Sequence, residues 1–200
     1  MLAIIYCSVG RIENEKRLND NVQKTMSDYV IYKKEDEIDL PTVERYNNLY
    51  KSLNTNADYI MFGADDITFE DNFDKKVDKI FSDMPHIDIL YPNDGIQGES
   101  LATHPIFRKS FLDKTGEFFP SSYMRHSYID NYILDLGRAL KNIHYDESLK
   151  IFHHHPIAKR GRWDKYYLKV YDRKYMLEDL NQYQRCLKEH LPKIIKRVKN

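Results

Sequence analysis

The 200-residue sequence has little of several residue types that mark other classes of protein. Its two cysteines, Cys7 and Cys186, are too few for a disulfide framework and fit a reducing compartment. Seven glycines and seven prolines are spread thinly, which argues against a string of small β modules. The length therefore favours one domain, or one domain with an appendage.

Long apolar runs and an excess of charge are also missing. No run reaches the roughly 18 apolar residues that a membrane-spanning helix needs, so we expect a soluble, cytoplasmic protein without membrane contact. The 31 Lys and Arg residues balance the 31 Asp and Glu residues, yet the balance hides an asymmetry. Residues 156–200 carry a net charge of +8 and residues 1–155 a net charge of −8. The sequence thus predicts an acidic body with a basic C-terminal part.

The order of apolar segments predicts the fold class. Hydrophobic residues make up 42% of the chain, enough for a core, which excludes wholesale disorder. Apolar or alternating patterns predict strands at 2–8, 29–33, 58–62, 87–91, 103–108 and 149–154. Helical spacing predicts helices at 13–27, 42–53, 71–84, 109–114, 128–140 and 165–189, with Pro192 interrupting the last pattern. Strands and helices that alternate in this way predict an α/β fold with a mainly parallel sheet.

Carboxylates follow two of the predicted strands. Asp65 and Asp66 come after the strand at 58–62, and Asp94 follows the strand at 87–91. Ligands of open α/β sheets bind at the carboxyl ends of strands, so these side chains are candidates for a binding site. Paired carboxylates suit a divalent cation held together with phosphate. The alternative is a strand-end turn in which an Asp caps the next helix.

Three further features carry possible chemistry. His153 and His155 share one face of a predicted strand and suit a transition metal, although a strand end with buried, hydrogen-bonded histidines is the alternative. Asp130 begins a predicted helix and suits a general base, or only the positive end of the helix dipole. Arg11 follows the first strand and suits a phosphate or a nucleotide base, or plain solvent exposure. No phosphate-binding loop or dinucleotide fingerprint occurs in the sequence.

These segments in order resemble a known family. They are the first strand with Ser-Val-Gly-Arg, Tyr46-Asn47, DYIMFGADDI, YPNDG, THPIFRKSFL, GEFFP, HSYIDNYILDLGR, HHHP and Trp163-Asp164. Together they resemble small nucleotide-sugar glycosyltransferases of the GT-A fold, in the family-2-like group and especially its compact bacteriophage forms. The resemblance covers about residues 2–167, and it implies a Rossmann-like sheet flanked by helices. We therefore divide the chain into a GT-A-like catalytic domain, 1–164, and a basic helical extension, 165–200.

The resemblance also implies roles for single residues. Asp66 would bind Mn²⁺ or Mg²⁺, with His155 as the preferred second ligand and His153 after it. Asp65 would contact the donor ribose and Asp94 would line the donor-sugar or acceptor pocket. Arg11 and Asn47 fall where the nucleotide is held, and Asp130 falls at the position of the catalytic base.

The expected activity is metal-dependent, inverting transfer of a sugar from a nucleotide-sugar donor, a UDP-sugar above all, to an acceptor hydroxyl. The family's early Asp that reads the base has no clear match beyond Asp36 or Asp39. The acceptor is a saccharide, a protein or a hydroxylated base in phage DNA, in which case the enzyme works in the host cytoplasm. The alternatives are a nucleic-acid or partner-binding module without catalysis, a sugar nucleotidyltransferase and a zinc hydrolase built on the histidines.

Overall fold

The computed structural model describes residues 1–35 and 40–200 as one seven-stranded sheet with helices against both faces. The strands are β1 (Leu2–Ser8), β2 (Tyr29–Glu35), β3 (Tyr59–Phe62), β4 (Ile67–Phe69), β5 (Ile89–Asn93), β6 (Ile106–Arg108) and β7 (Ile143–His153). The α-helices are α1 (Ile12–Thr25), α2 (Thr42–Ser52), α3 (Phe73–Asp83), α4 (Lys109–Thr115), α5 (Ile129–Leu140), α6 (Lys165–Val170), α7 (Arg173–Glu189) and α8 (Leu191–Lys199).

The strand order is β2-β1-β3-β6-β5-β7-β4. β1 pairs in parallel with β2 and with β3, and β5 pairs in parallel with β7. The three-residue strand β6 inserts between β3 and β5 and runs antiparallel to both, and β4 pairs antiparallel with the end of β7. The α/β class expected from the sequence is confirmed, and the sheet is mixed rather than mainly parallel because the chain reverses to place β6.

The first strand explains why the core has two halves. Leu2, Ile4 and Tyr6 point to the face covered by α1 and α3, whereas Ala3 and Ile5 point to the face covered by α2 and α5. Side chains alternate along a strand, so an uninterrupted apolar run is buried on both faces. This burial fixes the carboxyl end of β1, where the candidate site begins.

The C-terminal part is helical, as expected, but it consists of three helices. The predicted helix at 165–189 is broken where the Asp172 carboxylate accepts the backbone N–H groups of Lys174 and Tyr175 and so starts α7. Cys186 of α7 and Ile194 of α8 are buried in the same apolar cluster as α2 and α5. The segment after residue 164 therefore packs against the sheet domain, and a division at that point stays a prediction.

Candidate active site

A cleft opens where β1 and β3 end, next to the end of β7. Asp65 and Asp66 follow β3 and are both nearly fully buried. Several predicted residues line this cleft, and α6 contributes tyrosines that form one wall. The charged and aromatic lining includes Arg11, Asp65, Asp66, Asp130, His153 and Tyr167. The topology thus brings residues more than 150 positions apart in the sequence into one cavity.

Arg11 holds the first carboxylate of the pair. Its Nη1 donates to Asp65 Oδ1 at 3.1 Å, and its Nε donates to Asp164 Oδ2 at 2.7 Å. The Ser8 hydroxyl lies 3.1 Å from Asp65 Oδ2. Burial raises the pKa of Asp65 to about 6, and the Arg11 charge opposes that rise. Arg11 thus lines the cleft and is paired with two carboxylates, and its contact with a nucleotide stays a prediction.

Asp66, His153 and Asp94 form a chain of alternating charge. His153 Nε2 lies 3.4 Å from Asp66 Oδ2, and His153 Nδ1 lies 3.6 Å from Asp94 Oδ2. Burial opposes the charge on His153, but the two carboxylates raise its pKa to about 9. Burial alone would raise the pKa of Asp66, yet His153 and Tyr167 hold it below its ordinary value. His153 is therefore the histidine that faces the acidic pair.

Asp94 takes a different position from the one predicted. Its Oδ1 accepts the backbone N–H groups of Ile96, Gln97 and Gly98 at 3.0, 2.8 and 3.3 Å. Its Oδ2 lies 3.6 Å from His153 Nδ1. The structure does not bring Asp94 to the cleft surface, because the carboxylate is occupied by its own loop and by His153. Its visible effect is to orient that imidazole.

The predicted preference for His155 over His153 is not supported by the geometry. Both rings line the cleft, whereas His154 points away and lies 3.1 Å from the Thr68 hydroxyl. His155 Nδ1 accepts the N–H of Ile157 at 3.2 Å, so in the neutral ring Nε2 carries the proton. That Nε2 lies 3.2 Å from the Tyr171 hydroxyl, and burial lowers the pKa of His155 to about 4. Both ring nitrogens of His155 are thus engaged by Ile157 and Tyr171, whereas His153 Nε2 faces Asp66, so the geometry favours His153 as the candidate ligand.

His104 is a cleft residue that sequence reasoning did not select. Its backbone has a φ of 49°, the left-handed region that non-glycine residues adopt only under constraint. Its Nδ1 donates to the Phe62 carbonyl at 3.3 Å, and its ring meets the edge of His153 with centroids 4.7 Å apart. Burial lowers the pKa of His104 to about 4, so the ring is neutral. It therefore holds the His153 ring from a second side without adding charge.

Asp130 lies in the first turn of α5 and also lines the cleft. Burial raises its pKa to about 7, the nearby charge of His153 opposes that rise and Asp94 adds to it. A carboxylate with a pKa near neutrality is suited to remove a proton at physiological pH. The preceding loop is fixed by Asp179 of α7, whose carboxylate accepts the backbone N–H groups of residues 125, 126 and 127 at 2.7–3.0 Å.

Asn47 does not take part in the cleft. Its Nδ2 donates to the Phe119 carbonyl at 2.7 Å, and its Oδ1 accepts the N–H groups of Phe118 and Phe119 at 3.0 and 2.9 Å. The side chain is buried, with its hydrogen bonds made to this backbone segment. The expected nucleotide contact is therefore replaced by a structural one, and Tyr46 and Arg45 of the same helix line the cleft instead. The candidate base readers Asp36 and Asp39 lie outside the described residues.

The donor set fits a divalent cation that is held together with a diphosphate. Among the described residues, Asp94 Oδ2 and His153 Nδ1 are buried without a hydrogen-bond partner and lie 3.6 Å apart, and His153 Nε2 lies on the side of the ring that faces Asp66. Over residues 1–35 and 40–200, no group of three His, Cys, Asp or Glu side chains converges on one point. A cation that keeps waters and binds phosphate oxygens needs only one or two protein ligands. Asp66 and His153 supply such a pair, and Asp94 is the outer carboxylate that orients a ligating histidine.

Comparison with solved structures relates this fold to glycosyltransferases. Residues 1–349 of S. aureus TarS in complex with UDP-GlcNAc match with a TM-score of 0.62 and 12% identity, over 100% of this chain and 71% of that one. The catalytic domain of Drosophila β1,4-galactosyltransferase 7 in complex with xylobiose matches with a TM-score of 0.58 and 11% identity, over 86% of this chain and 79% of that one. The mannosyltransferase PcManGT from Pyrobaculum calidifontis, in complex with GDP-Man and Mn²⁺, matches with a TM-score of 0.57 and 9% identity, over 99% of this chain and 72% of that one.

These similarities establish a GT-A-like fold, since the identities are too low to establish more. Against a longer S. aureus TarS chain, the protein spans only 36% of that chain's length. No protein-family model matches the sequence, and no curated protein matches it. Within the described ranges, no helix is long and apolar enough to cross a membrane.

Proposed function

We propose that the protein is a metal-dependent, inverting glycosyltransferase that uses a nucleotide-sugar donor. The observation that carries the proposal is the pairing of Asp66 with His153 in a cleft that Asp130 also lines. The fold supports it, because the structures that share it are nucleotide-sugar glycosyltransferases. One of the neighbours above is bound to UDP-GlcNAc and another is named as a galactosyltransferase. These two neighbours favour a UDP-sugar as the donor here.

The roles of single residues are those that the family resemblance implies, applied to the side chains that the structure places in and behind the cleft. Asp66 and His153 would hold Mn²⁺ or Mg²⁺, and a bound dication offsets the negative charge that grows on a departing nucleoside diphosphate. Asp65 would contact the ribose of the donor, and Arg11 would contact its nucleotide. Asp94 would keep His153 oriented. Each of these residues except Asp94 lines the cleft directly.

Asp130 would act on the acceptor. As the acceptor oxygen forms its bond to the anomeric carbon, Asp130 takes the proton of the hydroxyl. The bond between the anomeric carbon and the diphosphate oxygen breaks, and its electron pair leaves with the nucleoside diphosphate. One displacement of this kind inverts the configuration at the anomeric carbon. A pKa near 7 suits the carboxylate to this role.

The acceptor hydroxyl belongs to a saccharide or to a hydroxylated base in phage DNA. The neighbour bound to xylobiose supports a saccharide. The basic C-terminal helices support a nucleic acid, since Lys193, Lys196 and Lys199 of α8 are all exposed. The same surface favours the second candidate function, a nucleic-acid-binding module without catalysis.

The test is release of nucleoside diphosphate from a panel of nucleotide sugars, with Mn²⁺ or with EDTA, in the presence of oligosaccharides or hydroxymethylated DNA. We expect metal-dependent release that stops in Asp130→Asn while donor binding persists. Asp83→Asn is the matched control, because this exposed carboxylate pairs with Lys79 on α3. Full turnover by Asp130→Asn would remove that residue from the base role. Binding to DNA without turnover of any donor would favour the binding module.

A further inference from the structure

One tyrosine of helix α6 contacts the acidic pair formed by Asp65 and Asp66. Tyr167 is buried, and its hydroxyl donates a short hydrogen bond to Asp66 Oδ2. The two residues are 101 positions apart in the sequence, so the contact exists only because α6 packs over the cleft. It places a phenol directly on the carboxylate that we propose as a metal ligand.

The position of Tyr167 is fixed by several other contacts. Asp164 caps α6 by accepting the Tyr167 backbone N–H at 2.8 Å, and its other oxygen accepts Arg11 Nε at 2.7 Å. The Arg11 guanidinium lies 4.1 Å from the centroid of the Tyr167 ring. The neighbouring Tyr166 hydroxyl lies 2.7 Å from the Thr42 hydroxyl. These contacts hold the phenol against Asp66.

The contacts of Asp66 are unevenly divided between its two oxygens. The Tyr167 hydroxyl and His153 Nε2 both lie against Oδ2. No hydrogen bond to Oδ1 is formed by any residue in the described part of the chain, and Asp66 lines the cleft. A cation bound to both Asp66 and His153 would replace their mutual contact, so the Tyr167 hydrogen bond would remain to hold the carboxylate by Oδ2 and leave Oδ1 to a ligand.

We propose that Tyr167 is a positioning residue, which orients the Asp66 carboxylate for metal binding through the hydrogen bond to Oδ2. The inference rests on the proposed function, since it requires that Asp66 bind a cation. Loss of an outer hydrogen bond to a ligating carboxylate weakens metal binding by about 10–100-fold. Helix α6 is then part of the metal site and not an appendage to the domain.

The experiment compares Mn²⁺ affinities of the full chain by the electron paramagnetic resonance signal of free Mn²⁺, with and without UDP. The test variant is Tyr167→Phe, which keeps the ring under Arg11 and removes only the hydroxyl. The matched control is Tyr171→Phe, because the Tyr171 hydroxyl contacts His155 and not Asp66. Trp163, the chain's only tryptophan, packs against both rings with centroids 6.2 and 5.8 Å away, so its emission reports whether α6 stays docked.

We expect Tyr167→Phe to bind Mn²⁺ about 10–100-fold more weakly, with an unchanged Trp163 emission maximum, and Tyr171→Phe to keep wild-type affinity. Equal or tighter binding by Tyr167→Phe would overturn the proposal. If that variant does not keep α6 docked, the wild type provides the test. Mn²⁺ should leave the wavelength of its Trp163 emission maximum unchanged as long as Tyr167 stays on Asp66. A shift of that emission would mean that the cation displaces Tyr167. Failure of the wild type to bind Mn²⁺ would overturn the metal role of Asp66 as well.

Discussion

Asp130 allows a prediction in which stability and activity change in opposite directions. The carboxylate begins α5 in a partly buried position, and the charged groups that act on it are His153 and Asp94. Burial raises its pKa from 3.8 to about 7. The native protein therefore prefers the protonated form, whereas the proposed reaction needs the ionised form. Asp130→Asn keeps the shape of the side chain and removes the charge.

The magnitude follows from linkage between protonation and folding. A pKa of about 7 in the native state and 3.8 in the unfolded state means that the native state binds more protons between these values. Native stability therefore falls as pH rises from about 4 to 7, by an amount on the order of 4 kcal/mol in total. About 2–3 kcal/mol of this loss falls between pH 5 and pH 8. The Asn variant has no such proton and escapes the loss.

The assay is urea denaturation of metal-free wild type and Asp130→Asn at pH 5 and pH 8. We expect the variant to gain about 2–3 kcal/mol relative to wild type between the two pH values, while its sugar transfer is lost. Asp83→Asn should show no such gain, since its carboxylate is exposed. A constant difference between Asp130→Asn and wild type at both pH values would refute the argument that Asp130 is held protonated by burial.

Further predictions concern residues whose roles the structure defines. Asn47→Ala should destabilise the fold by on the order of 1–3 kcal/mol in chemical denaturation, because the backbone of Phe118 and Phe119 loses its partner; weaker nucleotide binding at unchanged stability would contradict this. Truncation after residue 164 should abolish cooperative unfolding, because it exposes the core against which Cys186 and Ile194 pack; a stable truncated protein would show an independent domain. Asp66→Ala should lose Mn²⁺-dependent UDP binding in calorimetry, and retained binding would defeat the metal assignment.

Much of the framework was predictable because it depends on local pattern. The buried run of β1 and the carboxylates after β3 follow from apolar periodicity and from the rule that ligands bind at strand ends. The position of Asp130 in the first turn of α5 was also predictable, because apolar periodicity indicates where that helix begins. The sequence located strand β6 but not its direction. Its antiparallel pairing with β3 and β5 depends on which strand edges are available, and a strand of three residues has no pattern that predicts this.

The errors within the site come from contacts between distant parts of the chain. Alternation placed His153 and His155 on one face, but the choice between them depends on the Ile157 N–H and the Asp94 carboxylate. An Asn in a helix does not reveal whether its amide meets a ligand or a buried loop, as Asn47 shows. The local pattern around Tyr167 does not reveal its contact with Asp66, because the two residues are 101 positions apart.

The central claim is that the cleft binds a nucleotide through a cation held by Asp66. The direct test is thermal unfolding of the wild type with UDP or GDP at about 100 times the dissociation constant, each with Mn²⁺ or EDTA. We predict that one nucleotide raises Tm by roughly 5–10 °C with Mn²⁺ only, and that Asp66→Ala abolishes the shift. An equal shift in EDTA, or no shift with either nucleotide, would contradict the account.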